Sequence, residues 1–227
     1  MIVTIDGPSG SGKSTLALGL ANHLNFFCLN SGYLYRGLGY VLKTFYAYDD
    51  ALLQNPREAD IQACLTSGVF RYEYECGLAK IYWIDDITQF LKDPEMAKAA
   101  VVLAQNDYVR TAMKQFERSL VAGKDVVVEG RSCGSTIFPE AQVKFYLDAA
   151  PEVRAKRFQI DQKKRGNDFS LADALAHIQT RDNIDRERFI DPLVRPEGSF
   201  LLDSSIDHKG QVLQTALEHI KHALKKG

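Results

Sequence analysis

Residues 7–15 read GPSGSGKST, between the apolar run Met1-Ile-Val-Thr-Ile5 and an apolar-periodic stretch from Leu16 to Leu24. Strand, glycine-rich loop and helix in that order are the setting in which G-x-x-x-x-G-K-S wraps around phosphate. The feature is constraining because the loop needs a buried strand before it and a helix N-terminus after it. Gly7, Gly10 and Gly12 let the backbone turn tightly around Pro8, so that N–H groups along Ser9, Ser11 and Thr15 converge on one anion. The positive end of the helix dipole adds to that attraction. Lys13 is expected to reach the β- and γ-phosphates, and the Ser14 hydroxyl to ligate Mg²⁺. The expected ligand is a nucleoside triphosphate.

Further along, strand-like and helix-like patterns alternate. Near-continuous apolar runs at 2–5, 26–29, 125–128, 143–147 and 200–202 read as buried strands. Helical patterns fall at 13–24, 34–44, 94–121, 151–164, 171–190 and 210–225. The expected fold is α/β: a P-loop NTPase core with a five-stranded parallel sheet flanked by helices. Between about 66 and 92 the rhythm breaks into short alternating runs, VFRYEYE, AKIYWI and ITQF, with turn signals at Gly77 and Asp85-Asp86. They suggest a small antiparallel insert, a decoration of the fold or a border of the ligand cleft. The basic stretch with Arg154, Arg157, Lys163, Lys164 and Arg165 reads either as a solvated helix face or as a mobile lid over 154–170. With no repeat and no long linker, residues 1–227 are expected to form a single domain.

At a formal net charge of -1 there is no general basic field for nucleic acid. Cys28, Cys64, Cys76 and Cys133 form no C-x-x-C pair and read as reduced thiols, mostly buried. His219 and His222 read as part of a solvated helix face. No run approaches the roughly 20 apolar residues that span a bilayer, and no secretory signal pattern opens the chain. A cytoplasmic location without membrane association is expected.

A P-loop fixes a ligand and not a reaction. The N-K-x-D element of GTPase switches is missing from the sequence, and motor ATPases need a longer chain. Small kinases need a second constellation, cations that hold the acceptor and offset charge on the transferred group. Arg36 lies in LNSGYLYR, Arg131 in VVVEGR, and Arg181 and Arg188 in RDNIDRER. Arg181, Asp185 and Arg188 at i, i+4 and i+7 share one helix face, the pattern of a phosphate clamp and equally of a salt-bridged surface helix.

GPSGSGKST, LNSGYLYR, EGRSCGSTIFP and RDNIDRERFIDPL, in this order and spacing, resemble the bacterial-type cytidylate (CMP) kinases, P-loop nucleoside monophosphate kinases, over nearly the whole chain. The resemblance implies ATP as donor, Mg²⁺, CMP or dCMP as acceptor, no nucleic-acid partner, and a monomer. It implies that 7–15 cradles the ATP phosphates and that Ser31 and Arg36 border an acceptor region spanning 30–110. Arg110, Arg131 and Arg188 would grip the acceptor phosphate, and Arg181 and Asp185 would contact the sugar. Lys13, Arg131, Arg188 and the lid residue Arg157 would be the catalytic cations. Asp6 and Glu129 are candidates for water-mediated contact with the metal.

The chain departs from that family at its base-reading positions. Ser132 stands where the family carries an aspartate, and Val101, which cannot hydrogen-bond a base, where it carries a serine. Asn30, Tyr33 and Ile184 are milder departures. The implied activity is phosphorylation of CMP/dCMP with altered base selectivity; a kinase of another nucleoside monophosphate or small phosphate acceptor is the alternative.

Overall fold

The structure, a computed structural model, describes residues 1–206 and 210–224. Its main sheet has five strands in the order β2-β6-β1-β7-β8, namely β1 (Ile2–Asp6), β2 (Phe27–Asn30), β6 (Val126–Gly130), β7 (Val143–Asp148) and β8 (Phe200–Asp203). The expected parallel α/β sheet is present, with β1 parallel to β6 and β7 and β7 parallel to β8. Two compact units emerge, Met1–Phe26 with Val126–Gly227, and Phe27–Asp125.

In the first unit, β-branched residues build the central strands. Val3, Ile5, Val126, Val127 and Val128 have no exposed surface, as a strand covered on both faces requires. Register places Asp6 opposite Gly130 on one side and Tyr146 on the other. The chain therefore leaves β1, β6 and β7 side by side, at the carboxyl edge where open parallel sheets bind ligands. From β1 the loop enters α1 (Lys13–Leu24), which ends on left-handed Asn25. After β7, Pro151 opens α7 (Pro151–Lys164) at a position where its missing N–H costs nothing. Ser170 caps α8 (Leu171–Glu187) by accepting the Asp173 N–H at 3.0 Å. The last helix is α9 (Gln211–Leu224); Lys225, included in the expected helix, lies outside the described residues. His219 is no solvated histidine: its ring lies 4.4 Å from that of Phe200 and 5.6 Å from that of Phe145.

The second unit opens with β2 and α2 (Ser31–Phe45), capped by Asn30, whose side chain accepts the Tyr33 N–H at 3.0 Å. Two helices absent from the sequence reading follow, α3 (Asp50–Gln54) and α4 (Glu58–Thr66). The hairpin of β3 (Phe70–Glu75) and β4 (Leu78–Trp83) turns at Cys76-Gly77, both with positive φ, as a tight two-residue turn demands. A short strand β5 (Asp85–Asp86) pairs with β4. The antiparallel insert is present, yet its expected third run, ITQF, is not a strand. Asp86 accepts the Thr88 N–H at 2.9 Å and starts a 3₁₀ turn over Thr88–Lys92. The helix expected over 94–121 is also two: α5 (Pro94–Leu103) and α6 (Asp107–Val121). Asn106 interrupts it, because its side chain accepts the Val109 N–H at 3.1 Å and caps a new helix.

Candidate active site

The loop after β1 leaves no room for a side chain at its first glycine. Gly7 has φ +151°, and a Cβ there would lie 2.0 Å from the Leu147 carbonyl oxygen on β7. Gly12, at φ 95°, precedes α1 with no side-chain cap and no acidic residue in the first turn. The first N–H groups of α1 are thus left for an anion. Lys13 is folded back over the loop: its ammonium donates to the Pro8 carbonyl at 2.7 Å and lies 3.5 Å from Ser11 Oγ. Burial pushes its pKa down to about 7, aided by Arg131 and opposed by Glu129, Asp185 and Asp6. Ser14 Oγ donates to the buried Glu129 carboxylate at 2.7 Å. Thr15 is exposed on the first turn of α1.

On the same unit, three guanidiniums surround one carboxylate. Asp185 Oδ2 accepts from Arg131 Nε at 2.9 Å and from Arg181 Nε at 3.1 Å. Arg188 Nη1 lies 3.6 Å from Asp185 Oδ1. Burial pushes the Asp185 carboxyl up, but Arg131, Arg181 and Arg188 outweigh it and hold it at about 2. Burial together with the Arg131 charge lowers the pKa of Arg181, against the pull of Asp185. The side chains of Arg131 and Arg181 keep 23% of their surface exposed, so each stays in contact with solvent while Asp185 sets its direction. Asp185 thus gathers three guanidiniums, and the charges of Glu129 and Asp182 also act on Arg131. Arg188 lies beyond the helix, with extended backbone after Glu187. It is thus not on the shared helix face expected from its spacing. It still joins the cluster, donating to Asp191 O at 2.6 Å and approaching Ser132 Oγ at 3.5 Å.

Ser132 follows β6 and leads into a π-helical turn, Cys133–Ile137, in which the Ile137 and Phe138 N–H groups reach back five residues, to the carbonyls of Ser132 and Cys133. Asp6 holds this turn. Its carboxylate accepts the Cys133 N–H at 2.6 Å and the Gly134 N–H at 2.7 Å. Burial raises the Asp6 pKa, and those two backbone bonds pull it down. Each carboxylate oxygen thereby accepts one backbone N–H. Glu129 bonds the Ser14 hydroxyl. Nothing in the sequence pattern marks Asp6 for this role beyond its place at the end of β1.

The basic stretch divides by burial. Lys163, Lys164 and Arg165 are exposed, whereas Arg154 is 4% exposed and donates to Ala149 O, Ser9 O and Asp182. Arg154 is therefore not one of the solvated cations the run suggests. Arg157 donates to the carbonyl and, at 2.9 Å, to the hydroxyl of Ser204, and its Nη1 lies 3.5 Å from Ser11 O in the phosphate loop.

The remaining expected residues belong to the second unit. Ser31, at the start of α2, donates to Glu117 at 2.9 Å. Arg36 donates to Leu91 O at 3.2 Å. Val101 is half-buried on α5. Arg110 is buried on α6 with its guanidinium 5.9 Å from the Tyr35 ring centre. Cys28, Cys64 and Cys133 are buried thiols, and Cys76 is exposed at the hairpin turn.

Comparison with known proteins points to one family. The family model described as cytidylate kinase matches residues 3–222. A cytidylate kinase of Acinetobacter baylyi is 37% identical over 228 residues, covering 99% of this chain and 98% of the relative. One from Chlamydia caviae is 38% identical over 220 residues, 96% of each chain. Cytidylate kinase 1 of Haemophilus influenzae is 35% identical, covering 97% of this chain and 94% of its own. With the phosphate loop and the arginine cluster in place and the match running through both units, the chain belongs to the cytidylate kinase family, nucleoside monophosphate kinases of the transferase class.

Proposed function

We propose that this protein transfers the γ-phosphoryl group of ATP to CMP or dCMP, giving ADP and the nucleoside diphosphate. One observation carries the reading: Ser14 of the donor loop donates to Glu129 at 2.7 Å, and Arg131, two residues further along the chain, bonds Asp185 at 2.9 Å, so the donor loop and the acceptor cluster adjoin within one unit. Two polyanions repel until cations offset their charge. The acceptor's phosphate oxygen is already ionised, so it attacks Pγ with no general base while the bond to the β-phosphate oxygen breaks. Lys13 would follow the β- and γ-phosphates, and Arg131, Arg181 and Arg188 would orient the acceptor, with Asp185 meeting its sugar. Arg157 would bring a further charge to the donor side. Ser14, backed by Glu129, suits a hard cation that takes oxygen ligands, and Mg²⁺ held there with the phosphates would supply further charge neutralisation. From the second unit, Ser31, Arg36 and Arg110 would serve the acceptor.

By resemblance, Ser132 and Val101 occupy the base-reading positions, and neither carries the family's usual group. A site that hydrogen-bonds its base rejects others because buried polar groups are left unpaired, at about 1–3 kcal/mol each. Removing those groups relaxes selectivity and leaves phosphoryl transfer in place. The reading is of a cytoplasmic monomer; among the described residues no helix is long and apolar enough to cross a membrane. Steady-state assays with CMP, dCMP, UMP, dTMP and AMP test it. Acceptor-dependent ADP formation with only a weak preference for CMP is expected, and the Ser132→Asp, Val101→Ser double variant is expected to restore a stronger one. Absence of turnover with every acceptor would refute the kinase reading, and a strong CMP preference in the unaltered chain would refute relaxed selectivity alone.

A further inference from the structure

The backbone of Ser9, within the phosphate loop, is held at both its N–H and its carbonyl. Its N–H donates to Asp182 Oδ1 at 2.9 Å, and its carbonyl accepts from Arg154 Nη1 at 3.0 Å. The same Nη1 also donates to Asp182 Oδ2, closing a ring of Ser9, Asp182 and Arg154. Asp182 is 2% exposed and Arg154 4%. The loop lies so near α7 at this point that a Cβ on Gly10 would stand 3.1 Å from the Arg154 carbonyl oxygen. Asp182 sits on α8 one turn before Asp185, the carboxylate that orders Arg131, Arg181 and Arg188. One turn of one helix therefore carries two carboxylates with different tasks.

Resting on the reading of 7–15 as the donor loop, we propose that Asp182 and Arg154 are positioning residues that fix this loop in the frame of α8. Neither is assigned a contact with substrate. They bond each other and the Ser9 backbone, Arg154 also donating to Ala149 O, so the Ser9 N–H is committed to a carboxylate and cannot turn toward phosphate. The loop then presents its remaining N–H groups in one orientation, at a fixed offset from the arginines that Asp185 orders. A buried ion pair adds little net stability compared with apolar residues of the same volume. Replacing both members together should thus spare the fold while releasing the loop.

The test uses the full chain and two variants, Arg154→Lys and the double change Arg154→Met, Asp182→Leu. Steady-state constants for ATP and CMP are measured beside thermal unfolding, and ATP affinity is measured separately by calorimetry. In the double variant, KM for ATP should rise and kcat fall by roughly tenfold each, with KM for CMP within about twofold of the parent. Arg154→Lys keeps the charge but loses the fork, and should weaken ATP binding by roughly threefold even if the double variant does not fold. Unaltered ATP affinity and kcat in whichever variants fold, or equal losses for both substrates, would overturn the proposal. If the unaltered chain binds ATP without phosphorylating CMP, the phosphoryl-transfer reading fails, and the ATP-affinity arm still decides the clamp.

Discussion

Lys13 carries the most direct prediction at the scale of a single residue. Its ammonium is buried against the Pro8 carbonyl, and its pKa stands at about 7, far below the lysine norm, chiefly because burial disfavours the charge. A polyphosphate beside it favours the charged form and raises that pKa. Binding of ATP at pH 8 should therefore take up about one proton. Calorimetric titrations in two buffers of different ionisation enthalpy would read this as a difference in apparent heat. The difference should vanish in Lys13→Met, and equal heats for the unaltered chain would contradict the assignment. Lys13 was legible as a phosphate ligand from its place in GPSGSGKST. Its depressed pKa was not, because that depends first on burial by the fold and then on Arg131, remote in the chain and near in space.

Among the elements, the π-helical turn after β6 depends on contacts with β1. Two backbone N–H groups of the turn converge on Asp6, and a Cβ on Gly134 would lie 2.5 Å from Thr4 Oγ1. Asp6→Asn leaves one side-chain acceptor where two act, and should cost about 1–3 kcal/mol. Gly134→Ala forces the turn away from the sheet and should cost a similar amount, about 1–3 kcal/mol. Because the turn begins beside Ser132, both should also raise KM for the acceptor more than KM for ATP. Denaturant titration with steady-state kinetics checks this, and a Gly134→Ala chain as stable as its parent would be inconsistent with so close an approach. Local pattern foretold the strands and most helices, since buried parallel strands and amphipathic helices announce themselves by period. The break between α5 and α6 needed the Asn106 cap, a competition between one side chain and the helical backbone that apolar periodicity does not register.

For the whole molecule, acid stability follows from the arginine cluster. The Asp185 carboxyl is held at about 2 against a reference value of 3.8. A group whose pKa is lowered by folding stabilises the folded state above its unfolded pKa, and that contribution is lost as pH falls through the folded value. Asp185 should thus contribute on the order of 2 kcal/mol at neutral pH, declining from about pH 4 and largely gone near pH 2. Denaturant melts of the parent and Asp185→Asn across this window should show the stability gap closing; a gap constant down to pH 2 would contradict it. Sequence alone determined the parallel α/β core, the phosphate loop and the family, because these rest on short-range patterns whose order along the chain is itself informative. Only the tertiary structure decided that Asp185 gathers three arginines, that Asp6 latches a turn more than a hundred residues away, and that Arg154 is buried beside Asp182. The reason is physical: a charged residue looks the same in sequence whether water or a buried partner solvates it, and its partner is chosen by the fold.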